Sequence, residues 1–270
     1  MPSGQSKDAI KIDSLMRQAS AALVERRYFD CERLAVDALR RSIASSEYDR
    51  LARIIMPLQE ARRQIRAFAV DSGHLVEVDR ELPTGPTLLP GMYLISPPRV
   101  GADGRLLREE AVRREIPVVV IAREPLTQQG LWPVVAIGPV TIRTRVRPPT
   151  HMISPEDAVK KRSPKPGKPV GRGQSSVASS RAPTPAKADL PVAVTAEWML
   201  AASEALGDAA IAAVPTGLSA LARVLALADR LEAVPDHEKL HQRLGEAARE
   251  AARIPLKKIK VRMIALPELE

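Results

Sequence analysis

Pro117-Val118-Val119-Val120-Ile121-Ala122 is a run in which no side chain favours water. A half-buried strand alternates apolar and polar residues. This run does not, so the pattern predicts a strand covered on both faces and central to its sheet. Working outward, Arg105–Ile116 reads as a helix that follows a turn at Asp103–Gly104, and Met92–Ile95 reads as a strand before it. Strand, helix and strand at this spacing permit a parallel crossover. On the other side, Trp132–Ile137 and Val140–Val146 are two further strands. The second alternates, with Val140, Ile142, Thr144 and Val146 on one face and Thr141, Arg143, Arg145 and Arg147 on the other. Residues 83–150 are therefore expected to form a small α+β domain.

Both flanks are helical in pattern. In residues 1–82, Leu15, Ala19, Ala22 and Leu23 fall at helical spacing, as do Cys31, Leu34, Ala35, Ala38 and Leu39. The short join at Arg26–Phe29 makes these two helices antiparallel neighbours. A third helix spans about Glu47 to Val70, with Pro57 inside it to kink or split it. Residues 191–254 hold three more, near Thr195–Val214, Thr216–Val234 and Asp236–Ile254, divided at Pro215 and Pro235, with Asp236 as the N-cap of the last. Lys257–Ala265, within the tail 255–270, alternates in the manner of an edge strand. The expected class is a multidomain α+β protein in which helical modules flank a small α+β domain. The pattern leaves open whether the two helical modules pack together. Only 3% of the 270 residues are aromatic, so the core has to be built from Leu, Val, Ile and Ala, a mixture that suits packed helices.

The first two helices resemble a tetratricopeptide repeat over about 60 residues. Ala19 stands at the small position of the first helix; Tyr28, Cys31 and Ala38 match the Tyr and the two small positions of the second, and Leu39 follows. The chain departs from the pattern at Leu15, where Trp is usual, at Arg26, where the turn Gly is usual, and in lacking a closing Pro. An antiparallel helical hairpin of another kind shares these features. The resemblance implies a protein-binding scaffold, and another protein as partner. Stable arrays need about three repeats, so one and a half would lean on the rest of the chain or on a partner.

The formal net charge is +9, and it is unevenly placed. Eight basic side chains and no acid fall within residues 160–187, so the remaining segments are nearly neutral. Lys160, Lys161, Arg162, Lys165, Lys168 and Arg172 are the candidate polyanion-binding residues. Residues 151–190, rich in Pro, Ser and Lys, bury too little apolar surface to offset the entropy of ordering, and are expected to be a disordered linker. Such cations bind phosphate backbones by counterion release, which makes nucleic acid the alternative partner. The N-terminus has no apolar h-region, and no stretch is long enough to span a bilayer; a cytoplasmic protein with no membrane partner is expected.

Catalytic patterns are few. One Cys excludes a disulfide framework and a Cys-rich zinc module, and Cys31 sits at a packing position. The glycines form no dinucleotide or phosphate-loop pattern, so no cofactor is implied. His237-Glu238-Lys239-Leu240-His241 satisfies H-E-x-x-H, in which two His at i and i+4 bind zinc and the Glu is the general base. Its place in a helix's first turn, the charge of Lys239 and the lack of a well-placed third ligand favour a structural role, with Leu240, Leu244, Ala247 and Ala251 as the buried stripe. Arg62, Arg63 and Arg66 read as a solvated face paired with Glu60. The expectation is a non-enzymatic interaction scaffold. A nucleic-acid-associated protein and, behind it, a zinc hydrolase are the alternatives.

Overall fold

Helix α1 (Lys7–Val24) starts at Ser6, whose hydroxyl accepts the Ala9 N–H at 3.1 Å. The structure is a computed structural model and describes residues 6–149 and 194–254. The expected linker and the expected terminal strand at Lys257–Ala265 lie outside the described residues. Helices α2 (Tyr28–Ala44) and α3 (Tyr48–Asp71) follow after two short turns that close alike. The Arg27 N–H returns to Ala22 O and the Glu47 N–H to Ser42 O, with Arg26 at φ 61° and Ser46 at φ 60°. This left-handed step suits glycine, and a side chain there costs roughly 1 kcal/mol. Helix α1 packs on α2 and α2 on α3, as in a helical repeat. Helix α3 runs unbroken through Pro57.

Five strands form one sheet in the order β1 (Leu75–Val78), β2 (Gly91–Ile95), β3 (Val118–Arg123), β4 (Trp132–Ile137) and β5 (Thr141–Val146). The first three are parallel; β4 and β5 add antiparallel. Strand β3 is central, as its apolar run requires. Strand β1 escapes the sequence reading because Leu-Val-Glu-Val is short and carries a charge. Helix α4 (Gly101–Arg113) crosses between β2 and β3 and starts before the expected turn. The Asp103 carboxylate accepts the Val100 N–H at 2.8 Å, so Asp103 belongs to the first helical turn. Tyr93, Ile95, Ala122 and Val135 cover one face together with Leu107 and Ala111 of α4. Met92, Leu94, Val119, Ile121, Trp132, Val134 and Ile142 belong to the larger core on the other face.

That second face is covered by helices from both ends of the chain. Helix α5 (Ala196–Ala212) is capped by Thr195 and packs on β5; α6 (Ala220–Ala233) is capped by Ser219; α7 (Glu238–Ala252) packs on α6 and along α3. Helix α3 also touches β2 and β3. The two helical modules therefore meet, and one buried apolar cluster runs from Ile12 in α1 through the sheet to Ala251 in α7. Among the described residues no helix is long and apolar enough to cross a membrane.

The chain's two tryptophans join α5 to the sheet. Trp198 Nε1 donates to Arg147 O at 2.8 Å, and its ring stands edge-on to Trp132, 5.5 Å between centroids. Trp198→Ala is expected to lower the unfolding free energy by about 2–4 kcal/mol in a urea titration. A loss under about 0.5 kcal/mol, the usual range for a surface substitution, would show that this clasp does not hold the helix.

Candidate functional site

Three groups of polar side chains are candidates for chemistry: the H-E-x-x-H segment, a cluster at the ends of the parallel strands, and a cleft between α2 and α4.

His237 is not in α7 but caps it. Its Nδ1 accepts the Leu240 N–H at 3.3 Å, one residue later than the Asp236 cap expected from sequence. The ring is fully buried against α5, where a Cβ on Gly207 would lie 2.0 Å from His237 Cγ. Glycine inside a helix is unfavourable, and here it makes room for an imidazole. The His237 Nε2 faces Glu204 at 3.3 Å and Asp208 at 3.5 Å, without hydrogen-bond geometry. His241 has both nitrogens engaged, Nδ1 with His237 O at 3.0 Å and Nε2 with Arg62 Nη1 at 3.4 Å. Since the guanidinium can only donate, Nε2 accepts and Nδ1 carries the proton. The two rings thus serve a cap and an ion-pair network. Among the described residues no group of three or more His, Cys, Asp or Glu is placed to hold a metal ion.

The network lies between the two helical modules. Arg62 pairs with Glu32 at 2.8 Å, and Arg66 donates to Glu204 at 3.0 Å and to Asp236 O at 3.2 Å. Only Arg63 behaves as the sequence suggested, paired with Glu60. Arg62 and Arg66 are mostly buried instead, because α7 covers the side of α3 that sequence reading left to solvent. Burial pushes the Asp236 carboxyl up, against the pull of Arg108, Arg66 and Arg62. It pushes the His237 imidazole down, against Glu204 and Asp208. His241 is driven down to about 3 by burial first and the Arg62 charge second.

At the carboxyl ends of β1, β2 and β3, where α/β sheets often bind ligands, Ser96 Oγ donates to Glu77 at 2.6 Å and accepts from Arg123 Nε at 2.9 Å. Arg123 also reaches Glu77 at 3.1 Å and lies 4.3 Å over the Trp132 ring. Ser96 is only 1% exposed, and its hydroxyl has both roles filled. This trio locks strand ends together and offers no open nucleophile. Cys31 is likewise closed: fully buried, with its thiol near Pro57 O and pushed up to about 11 by burial. His74 stacks edge-on to Tyr93 at 5.9 Å; His151 lies outside the described residues. So do Lys160, Lys161, Arg162, Lys165, Lys168 and Arg172.

The cleft between α2 and α4 is open and partly apolar. Its volume is about 630 Å³, and Phe29, Val36 and Arg40 of α2 line it together with Arg105, Arg108, Val112 and Arg113 of α4, Arg62 of α3, and Glu232 and Pro235. Val112 is 50% exposed. Arg40 reaches Glu232 across the opening at 3.7 Å. Arg108 is not distinctive in sequence, since nothing in Arg105-Leu-Leu-Arg108 separates it from its neighbours and its partners lie 29, 124 and 125 residues away. Compared with known proteins, the chain matches no family model, and no significant match is found among curated proteins or solved structures.

The low value at His241 has a pH consequence. The unfolded imidazole takes a proton below about 6.5, while the folded one resists down to about 3. Stability from this group is therefore complete above pH 6.5 and is lost as pH falls towards 3, by about 5 kcal/mol at the lower end. Denaturant titrations of the native chain and of His241→Gln between pH 7 and 4 read this directly. The variant should show the shallower decline, and equal slopes would remove His241 from the account.

Proposed function

We propose that this chain is a non-enzymatic interaction scaffold, with a tetratricopeptide-like hairpin as part of its docking surface. The cleft between α2 and α4 carries the reading. Phe29 and Val36 lie seven residues apart on one face of α2, Val112 stands on the facing helix, and charged residues surround them. Apolar side chains within a polar rim are the composition of a protein-binding patch. Cys31 and His241 are closed in by packing and hydrogen bonds, and His237 caps a helix. The hairpin packs on α3, and α3 in turn rests on α7 and the sheet, which gives one and a half repeats support from the rest of the chain.

The test is affinity capture with the full chain against its Val36→Asp variant, with folding checked by thermal unfolding. A partner held by the native chain and reduced at least about tenfold by Val36→Asp, the worth of roughly 1.4 kcal/mol, is the expected result. An unchanged set of captured proteins would overturn the assignment of the cleft.

A second reading rests on the sequence of residues 160–187, with eight basic side chains and no acid. Here the partner is nucleic acid, held through phosphates. Binding of a mixed-sequence duplex should weaken steeply with salt, with a log–log slope of up to about −7 if all eight cations engage, and should vanish when they become Gln. Binding that survives the replacement would end this reading.

A further inference from the structure

We infer that the floor of the α2–α4 cleft is a carboxylate-binding site, built on Arg108, and that its ligand is an acidic peptide segment with apolar neighbours. The inference rests on the scaffold reading and gives that scaffold's partner a chemistry.

Among the described residues Arg108 is the one cation lining the cleft that lacks a salt bridge, although the Asp236 and Glu109 charges act on it from farther off. Arg62 has Glu32 at 2.8 Å, Arg105 has Glu109 at 2.7 Å, Arg40 has Glu232 at 3.7 Å, and Arg113 has Glu110. Arg108 forms no ion pair among the described residues. It donates instead to three carbonyls, Ala233 O at 3.0 Å and Ile137 O and Glu232 O at 3.4 Å. These include carbonyls at the end of α6, where the helix dipole favours a cation. Carbonyl dipoles hold the guanidinium in place without neutralising it. The Nε–H and one Nη1 proton have no partner among the described residues.

Arg108 is half-buried, and Asp236, the first charge acting on it, stands beyond salt-bridge distance. Burial works against the charge on Arg108, so an anion arriving on its free N–H groups would relieve a cost already present in the free protein. A carboxylate matches the planar guanidinium fork. Phe29, Val36 and Val112 supply apolar contact beside it, and a cleft of about 630 Å³ accommodates a few residues of a peptide. Arg108 is held by backbone at β4 and α6 and projects from α4, so the donor is fixed before any ligand arrives. That lowers the ordering cost of binding.

The experiment uses a phage-displayed random dodecapeptide library panned on the full chain. Peptides enriched in Asp or Glu next to apolar residues are expected. Affinity for the selected peptides should fall about tenfold to a hundredfold in Arg108→Gln, the worth of a hydrogen bond to a charged group. Arg108→Gln also removes contacts to the end of α6, so Val112→Glu serves as the second variant. It changes an exposed residue, leaves those contacts alone, and places a carboxylate one helical turn from Arg108, where it should compete with the ligand. Absence of enriched peptides, enrichment without acidic bias, or selected peptides held equally by both variants would overturn the inference. A partner lost in Val36→Asp but indifferent to Arg108→Gln would sink the carboxylate site and leave the scaffold reading standing.

Discussion

The two helical modules meet along a contact in which Arg62 and Arg66 give up most of their water. Helix α3 brings them to the contact, and Glu32, Glu204, Asp236 O and the His241 ring receive them. Burying charge costs several kcal/mol per ion before any attraction is counted. Replacing the pairs by apolar residues of similar volume would cost little or even stabilise, whereas removing one partner leaves an uncompensated charge. The seam is therefore better understood as selecting one arrangement than as supplying stability. The apolar contacts beside it, such as Ile55 near Gly245, fit many registers of two helices, but the Arg66–Glu204 pair and the Arg62–His241 hydrogen bond fit one.

With the modules fixed in that register, the sheet gains its second cover. Strand β3 can be apolar on both faces because α4 lies on one side and α3 with the C-terminal helices on the other. The cleft follows from the same arrangement. Its lining comes from the first module, from α4 on the sheet, and from the last module through Glu232 and Pro235. Without the seam, no single pocket would have all three.

What the sequence made legible was periodic. The helix and strand patterns of Cys31–Leu39, Val118–Ala122 and Ile142–Val146 lie where their spacing put them, since each face is decided by its own residues. Failures arose where a distant element changed the meaning of a local pattern. Arg62 and Arg66 look like solvent residues until α7 arrives. Asp236 looks like a cap, yet His237 takes that part because Gly207 leaves space for its ring. The H-E-x-x-H spacing was visible, but its use depended on Arg62, 179 residues from His241. Arg108 was invisible for a similar reason: an arginine becomes distinctive only when its surroundings withhold a carboxylate, and sequence does not display surroundings.

The hydrogen bond from Trp198 to Arg147 O has one more consequence. Arg147 follows directly on β5, and Trp198 stands in the first turn of α5. Two positions 51 residues apart in sequence thus form one joint between the edge of the sheet and the first of the C-terminal helices. A strain applied to the edge strand therefore passes straight into α5 through an indole and a carbonyl, and the C-terminal helices move with the sheet edge as one piece.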